Sequence, residues 1–172
     1  MDLIILSGNA PENKEWAEKV GKLFKDEFDS IYIQYYEHWP NQKKIIDFNL
    51  EISKLVKNNR RNLIIIAKSV GVALAIKCIH TKKLNPLKCV FFGLPIKWCE
   101  KNNIPLQNWL INYKRPSLFI QQTEDPFLSF SELKPLLEKL NVKNYSLYEV
   151  NGNDHIYSNI KKLKNTMEKF IF

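Results

Sequence analysis

The fold is decided by the stretch at residues 62–76, which reads NLIIIAKSVGVALAI. Its apolar run from Leu63 to Ala67 is typical of a strand that is covered on both faces. The residues from Val70 to His80 have the apolar spacing of a helix. A short turn that carries Ser69 joins the two. A strand, a sharp turn with a serine and a helix in this order predict a nucleophile elbow, which projects the serine hydroxyl from the edge of a sheet.

The residues around Ser69 leave two interpretations open. Small residues two positions before and after the serine, here Ala67 and Gly71, let the strand and the helix approach each other. Alanine, however, stands where the motif G-x-S-x-G has its first glycine. A serine that only caps the N-terminus of a helix would give a similar local pattern. The stretch by itself therefore indicates either an elbow or a capped helix.

Periodicity outward from this stretch indicates alternating strands and helices. We predict strands at 3–6, 31–36, 62–67, 87–92, 118–121 and 145–150, and helices at 12–28, 45–57, 70–80, 131–140 and 156–172. This alternation favours an α/β fold, a three-layer sandwich in which helices cover both faces of a six-stranded parallel sheet. The length of 172 residues predicts one domain over 1–172. The irregular stretch 93–116 is either a small cap over a site or a long crossover with one helix.

The formal net charge is +8, from 26 basic and 18 acidic residues. Only Arg60, Arg61 and Arg115 are arginine, and the lysines are scattered along the predicted helix faces. Because nucleic-acid-binding proteins usually present a basic patch, this distribution predicts a solvated lysine surface and no nucleic-acid partner. A nucleotide-binding sheet would also fit the alternation, but neither G-x-G-x-x-G nor G-x-x-x-x-G-K-[ST] occurs in the sequence.

The three cysteines, Cys78, Cys89 and Cys99, lack the spacing of metal ligands. We interpret them as reduced thiols, which points to the cytoplasm. The apolar segment at 3–6 lacks the preceding basic region of a signal peptide. No apolar run approaches the roughly 20 residues of a membrane span. The sequence therefore predicts a cytoplasmic protein with no membrane association, no metal and no other cofactor.

A serine hydroxyl needs a base to take its proton, and the chain has three histidines. His155 follows the last predicted strand, at the edge of the sheet where Ser69 lies. His38 follows the second predicted strand, and His80 ends the helix after the serine, where the helix C-terminus favours a cation. His155 is therefore the predicted base, unless it is only a surface residue that opens the last helix.

The base in turn needs an acid that fixes its tautomer. Asp125, in the segment QQTEDP at 121–126, follows a predicted strand and lies at the same edge. Its neighbour Glu124 is the residue most easily confused with it, and Asp154 is too close to His155 along the chain to be well placed. An aspartate before a proline is also a common turn former, so the role of Asp125 has a second interpretation.

The order of these residues, serine then aspartate then histidine, is that of the α/β-hydrolase scaffold. Over essentially its whole length the chain resembles α/β-hydrolases, in particular the small, lid-poor serine hydrolases similar to the retinoblastoma-binding serine hydrolase and its bacterial relatives. The resemblance is carried by LSGN at 6–9, AKSVG at 67–71, EDP at 124–126 and GNDH at 152–155. It implies a minimal fold with six parallel strands, in which Ser69 is the nucleophile, His155 the base and Asp125 the orienting acid.

The resemblance also implies an oxyanion hole made by the backbone N–H groups of Val70 and of Asn9 or Ala10. The reaction it implies is hydrolysis of a small acyl ester or thioester through an acyl-enzyme. Two departures from the family pattern bear on this expectation. The loop after the first strand lacks the histidine-glycine pair common in esterases, and the elbow contains Ala67. They keep open an alternative, a weak or inactive protein that uses the hydrolase fold as a binding module.

Three further residues are candidates for substrate binding, and each has a plainer explanation. Gly8 belongs to the tight loop after the first strand. His38, with the aromatic residues beside it, lines the substrate cleft or packs at its rim. Trp98 covers an acyl pocket or packs a helix against the sheet. The expected partner is a small acyl substrate, and the sequence leaves the oligomeric state open, with a monomer as the simplest expectation.

Overall fold

Six parallel strands form one sheet in the computed structural model, which describes residues 1–41, 44–57 and 62–172. Arg60 and Arg61 lie outside the described residues. The strands are β1 (Asp2–Leu6), β2 (Ser30–Ile33), β3 (Leu63–Lys68), β4 (Lys88–Phe92), β5 (Ser117–Gln122) and β6 (Tyr145–Val150). Their order across the sheet is β2-β1-β3-β4-β5-β6, and every pair is parallel. The predicted six-stranded parallel sheet is confirmed.

Helices cover both faces of this sheet. They are α1 (Asn13–Leu23), α2 (Phe48–Leu55), α3 (Val70–His80), α4 (Ile96–Lys101), α5 (Leu106–Leu110), α6 (Phe130–Lys139) and α7 (Ile160–Ile171). Ile64 and Ile66 of β3 pack with α1 and α7, whereas Leu63 and Ile65 pack on the opposite face with the other helices. Successive strand residues point to opposite faces, so the apolar run in β3 fills two cores. The three-layer arrangement is confirmed.

The irregular stretch 93–116 is a crossover with two short helices, α4 and α5, rather than one. Each helix begins directly after a proline, Pro95 or Pro105. A proline fixes its own φ angle and has no N–H to donate, so it is well suited to the start of a helix, where that N–H would have no helical acceptor. Leu106 and Leu110 of α5 are buried in the core next to α3. The stretch therefore packs against the body of the fold.

Several helices are shorter than predicted, because polar side chains and backbone turns end them. The helix predicted at 45–57 begins only at Phe48, since the Asp47 carboxylate caps it by accepting hydrogen bonds from two backbone N–H groups. The helix predicted at 156–172 begins at Ile160, because His155 and Tyr157 have positive φ angles of 59° and 55°. The helix predicted at 12–28 ends at Leu23, although the apolar spacing continues in the turn that follows.

The strand predicted at 31–36 also ends early, at Ile33. Beyond it the chain leaves the sheet, and the Tyr36 hydroxyl donates a hydrogen bond of 3.0 Å to the carbonyl of Ser7. All six strands run in one direction, so their carboxyl ends meet at one edge. In open parallel sheets this edge is where ligands bind. In the described part of the chain, no helix is long and apolar enough to cross a membrane.

The start of α3 lies so close to β1 that only glycine fits at position 71. A Cβ atom on Gly71 would lie 2.5 Å from the carbonyl oxygen of Leu6 and 2.7 Å from that of Ser7. We expect Gly71→Ala to lower the free energy of unfolding by about 2–4 kcal/mol, because backbone atoms cannot move aside cheaply. Urea denaturation measures this change.

A matched control for this substitution is Gly21→Ala, inside α1. There the nearest atom to a new Cβ is the flexible end of Ile33, at 3.2 Å. Alanine is the better helix former by about 1 kcal/mol, so this variant should keep or gain stability. Equal urea midpoints for Gly71→Ala and the unmodified protein would contradict the close approach of α3 to β1.

Candidate active site

Ser69 occupies the turn between β3 and α3 in a strained conformation, with φ 54° and ψ −125°. Few residues other than glycine have a positive φ, and such strain concentrates at functional sites. The Ser69 N–H donates to the carbonyl of Phe92 at 2.9 Å, which fixes the turn against β4. Within the described chain the Ser69 hydroxyl makes no capping bond to α3. The local geometry is that of an elbow and not of a side-chain-capped helix.

His155 and Asp125 are brought together from two loops at the same edge of the sheet. His155 Nδ1 lies 2.7 Å from Asp125 Oδ2, and both residues are buried. Because a carboxylate accepts hydrogen bonds, Nδ1 is the protonated ring nitrogen, which leaves Nε2 of the neutral ring as the basic atom. The other carboxylate oxygen, Oδ1, accepts the N–H of Phe127 at 2.9 Å. Asp125 therefore closes a turn, as one interpretation held, and also orients the histidine.

Tyr157 is a third member of this group, and no motif in the sequence predicts it. Its hydroxyl donates to Asp125 Oδ2 at 2.7 Å and accepts the N–H of Gln122 at 2.9 Å. Burial raises the pKa of Tyr157, and the nearby charge of Asp125 raises it further, so the hydroxyl remains a donor. Burial alone would raise the pKa of Asp125, but the hydrogen bonds from His155 and Tyr157 outweigh it and hold that pKa below its ordinary value.

Gln122, the last residue of β5, holds the loop that carries His155. Its side-chain oxygen accepts the N–H groups of Asp154 at 3.0 Å and of His155 at 2.7 Å. Its side-chain nitrogen donates to Asp154 Oδ1 at 2.7 Å. Asp154 therefore fixes the backbone of the loop and does not bond the His155 ring. The sequence feature that could have indicated Gln122 is its position directly after the apolar run of β5.

Ser69 and His155 each contact the backbone at the end of β4. Ser69 is bonded to the carbonyl of Phe92, and the next residue, Gly93, has a φ of 63°. A Cβ on Gly93 would lie 2.6 Å from His155 Cε1, so the imidazole packs directly on this backbone. Among the described residues, the buried Nε2 of His155 has no hydrogen-bond partner, the Ser69 hydroxyl included. In the same residues, His38 Nδ1 and Trp39 Nε1 are also buried without a partner, but of these three residues only His155 is bonded to a carboxylate through its other ring nitrogen.

The loop after β1 is held from several sides. The carbonyl of Asn9 accepts a hydrogen bond of 2.8 Å from His38 Nε2, and its side-chain oxygen accepts the N–H of Ile46 at 3.1 Å. Tyr36 stacks on the His38 ring and bonds the preceding carbonyl of Ser7. Opposite this loop, the N–H of Val70 is at the first position of α3 and so has no helical acceptor.

The residues predicted to bind substrate have other contacts. Gly8 packs against the Asn13 side chain, which would lie 2.6 Å from an added Cβ. His38 is buried beneath the loop that it bonds. Trp98, in α4, is half-buried and packs against the core on that face. A direct contact of Gly8, His38 or Trp98 with substrate stays a prediction. Among the described residues, no cluster of histidine, cysteine, aspartate or glutamate side chains could hold a metal ion.

A parallel sheet with a strained serine after its central strand, and a histidine–aspartate pair at the same edge, is the arrangement of α/β-hydrolases. The family described as alpha/beta hydrolase domain matches this chain over residues 36–171. The chain therefore belongs to this family. A closer relation to the retinoblastoma-binding serine hydrolase stays a prediction, and no curated protein matches the chain.

Solved structures of the same fold include proteins described as an esterase, a hydrolase and a thioesterase. An esterase of Pyrococcus furiosus, Pf2001, is 17% identical with a TM-score of 0.73, covering 99% of this chain and 81% of its own. A YdeN-like hydrolase from Pectobacterium atrosepticum is 14% identical with a TM-score of 0.66, covering 99% and 92%. The RedJ thioesterase of Streptomyces coelicolor is 10% identical with a TM-score of 0.65, covering 98% and 85%. At these identities the likeness concerns the fold.

Proposed function

We propose that this protein is a serine hydrolase that cleaves a small acyl ester or thioester through Ser69, His155 and Asp125. One observation carries the proposal. His155 is bonded through Nδ1 to a buried carboxylate, while its buried Nε2 has no partner among the described residues. That nitrogen lies in the part of the molecule where the strained turn of Ser69 contacts β4. The esterases and the thioesterase of the same fold support the reaction class.

The acylation step uses His155 as the base. His155 Nε2 takes the proton of the Ser69 hydroxyl while the oxygen attacks the carbonyl carbon of the substrate. The N–H of Val70 and that of Asn9 or Ala10 stabilise the negative oxygen of the tetrahedral intermediate. The imidazolium then gives its proton to the leaving alcohol or thiol as the bond from the carbonyl carbon to that group breaks. The acyl group remains on Ser69 as an ester.

Deacylation repeats these steps with water. His155 takes a proton from the water molecule as its oxygen attacks the acyl carbon, and then returns the proton to Ser69 as the acid leaves. Asp125 keeps the proton of the imidazole on Nδ1 and stabilises the imidazolium that forms in each step. Its lowered pKa keeps it ionised at neutral pH. Tyr157 fixes the same carboxylate oxygen and so acts as a positioning residue.

Measuring turnover distinguishes the proposed hydrolase from the alternative, a binding module that only keeps the hydrolase fold. A binding surface gains nothing from a strained serine and an unpaired buried nitrogen, both of which cost stability. We therefore expect the protein to hydrolyse some of a panel of p-nitrophenyl acetate, butyrate and hexanoate and the matching acyl thioesters. If the folded protein hydrolyses none of them above the rate of buffer, the proposed function is wrong and the binding module is favoured.

His38 should act on this reaction through the loop after β1. Its bond to the carbonyl of Asn9 fixes the peptide whose N–H belongs to Ala10, one of the two candidate oxyanion donors. We expect His38→Ala to lower kcat roughly tenfold with little change in KM, a smaller loss than removal of a whole donor. Steady-state kinetics with p-nitrophenyl butyrate measure both constants.

A conservative variant distinguishes this role from simple packing. The amide nitrogen of His38→Gln can donate to the same carbonyl, so this variant should recover most of the kcat that alanine loses. Thermal unfolding of both variants shows how much stability each has lost. If glutamine and alanine lower kcat equally, or if neither changes it, the positioning role of His38 is refuted.

A further inference from the structure

Lys68 is a buried lysine directly before the strained serine. It is the last residue of β3, and only 4% of it is exposed. Its ammonium donates to Asn13 Oδ1 at 2.7 Å and lies 5.7 Å from the centre of the Trp16 ring. The Asn13 side chain also donates to the carbonyl of Ala10 at 3.0 Å. Lys68 is thereby held between α1 and the loop after β1.

The charge of Lys68 is poorly balanced by its surroundings. An ammonium has three protons to donate, and among the described residues only Asn13 accepts a hydrogen bond from that of Lys68. In the same residues no carboxylate lies within 4.0 Å of it. Burial lowers the pKa of Lys68 to about 8, although Asp154 and Asp125 act in the opposite direction from farther away. Burying a charge with no opposite charge beside it is costly, so a purely structural role would be served better by an apolar residue.

A cavity of about 390 Å³ adjoins this side chain. Its wall includes Lys68 and Trp16, together with Ala10 from the loop after β1 and Ile156, the neighbour of His155. Ala10 carries one of the candidate oxyanion donors and Ile156 follows His155 in the chain, so the cavity adjoins two loops of the candidate active site. Because Lys68 directly precedes Ser69 in the chain, one wall of the cavity lies next to the strained turn.

Other charged residues also line the cavity. Glu12, Glu15 and Lys19 do so with exposed side chains, and Lys19 pairs with Glu15 at 2.7 Å. Exposed charges and exposed ion pairs act weakly because water screens them. The buried ammonium of Lys68 is screened less and therefore dominates the electrostatic preference of the inner part of the cavity.

We propose that this cavity binds a negatively charged group of the substrate, a carboxylate at the far end of its acyl chain, with Lys68 as the cationic partner and Trp16 as an apolar wall for the chain. The inference rests on the proposed hydrolase function and adds a substrate class to it. A carboxylate supplies the acceptors that the ammonium lacks, and a charge-assisted hydrogen bond of this kind is stronger than a neutral one.

The test compares two esters that differ only at the end of the acyl chain. One is p-nitrophenyl hexanoate, which ends in a methyl group, and the other is the mono-p-nitrophenyl ester of adipic acid, which ends in a carboxylate. We expect the adipate ester to have the higher kcat/KM. Lys68→Met keeps an unbranched side chain of similar length, and it should lower the ratio of the two kcat/KM values by about tenfold or more. Lys14→Met, which removes an exposed charge from α1, is the control and should leave the ratio within about twofold.

Direct binding provides a second measurement that does not need turnover. Monomethyl adipate is titrated calorimetrically into Ser69→Ala and into Ser69→Ala with Lys68→Met. We expect binding to the first protein and at least about tenfold weaker binding to the second. An unchanged ester ratio in Lys68→Met, or equal binding to the two proteins, overturns the proposed substrate class while leaving the hydrolase proposal intact. Binding of monomethyl adipate that depends on Lys68, without hydrolysis of either ester, supports the anion site and contradicts the hydrolase.

Discussion

Ser69→Ala is expected to lower kcat/KM for p-nitrophenyl butyrate by about 10⁴-fold or more, because the attacking oxygen is removed while the rest of the site remains. A small residual rate is expected from the oxyanion donors alone. Stopped or continuous absorbance assays of p-nitrophenol release measure this loss. Ser146→Ala, which removes an exposed hydroxyl from β6, is the matched control and should retain full activity.

The loss in Ser69→Ala should not come from unfolding. Within the described chain the Ser69 hydroxyl does not cap α3, and alanine adopts the strained backbone about as readily as serine. We therefore expect the free energy of unfolding to change by less than about 1 kcal/mol. A Ser69→Ala protein that is folded and still hydrolyses the ester at the original rate would show that another residue is the nucleophile.

Asp125→Asn should be nearly as damaging, with a loss of kcat of about 10⁴-fold. The carboxylate requires a proton on His155 Nδ1, whereas the asparagine amide can donate to Nδ1 and so favours the tautomer with the proton on Nε2. In that tautomer Nε2 cannot accept the proton of Ser69. Glu124→Gln is the control, since Glu124 is adjacent and exposed and should keep its activity within about threefold. If Asp125→Asn is active and Glu124→Gln is inactive, Glu124 rather than Asp125 is the orienting acid.

Asp125→Asn should also change how the free energy of unfolding depends on pH. The folded-state pKa of Asp125 is below its ordinary value. Its ionised form therefore stabilises the fold, and this contribution is fully present at pH values above the ordinary pKa. This contribution is lost as the pH falls through the folded-state pKa. The stability advantage of the unmodified protein over Asp125→Asn should therefore be larger near roughly pH 6 than near roughly pH 3. Urea denaturation at the two pH values measures the difference.

The same alternation of strands and helices predicted both the parallel sheet and the edge at which the candidate site residues should lie. The run from Leu63 to Ala67 is apolar without interruption, which is typical of a strand buried on both faces. The helices predicted between the strands indicate a parallel sheet. Ser69 follows β3 directly, and Asp125 and His155 lie in the loops after β5 and β6. In a parallel sheet such positions share an edge, so the sequence alone groups residues that are far apart in the chain.

The contacts around these residues could not be predicted because they depend on local backbone geometry. Tyr157 bonds Asp125 from a turn in which it and His155 have positive φ angles. The residue types in that segment do not predict such a turn. Lys68 looked like one of many scattered lysines, and its burial follows from the packing of Trp16 and Asn13 over the end of β3. Hydrophobic periodicity contains no information about such cross-element contacts.

The measurement that tests the central proposal most directly is the position of a fluorophosphonate adduct. An activated serine displaces fluoride and keeps the phosphonyl group, and mass spectrometry of the digested protein locates the added mass. Trypsin cleaves after Lys68, so the tryptic peptide of residues 69–77 contains Ser69 as its only serine. We predict one adduct, on this peptide, which is lost in Ser69→Ala and strongly reduced in Asp125→Asn. No adduct on the folded protein, or an adduct on a different peptide, would contradict the assignment of Ser69 as the nucleophile.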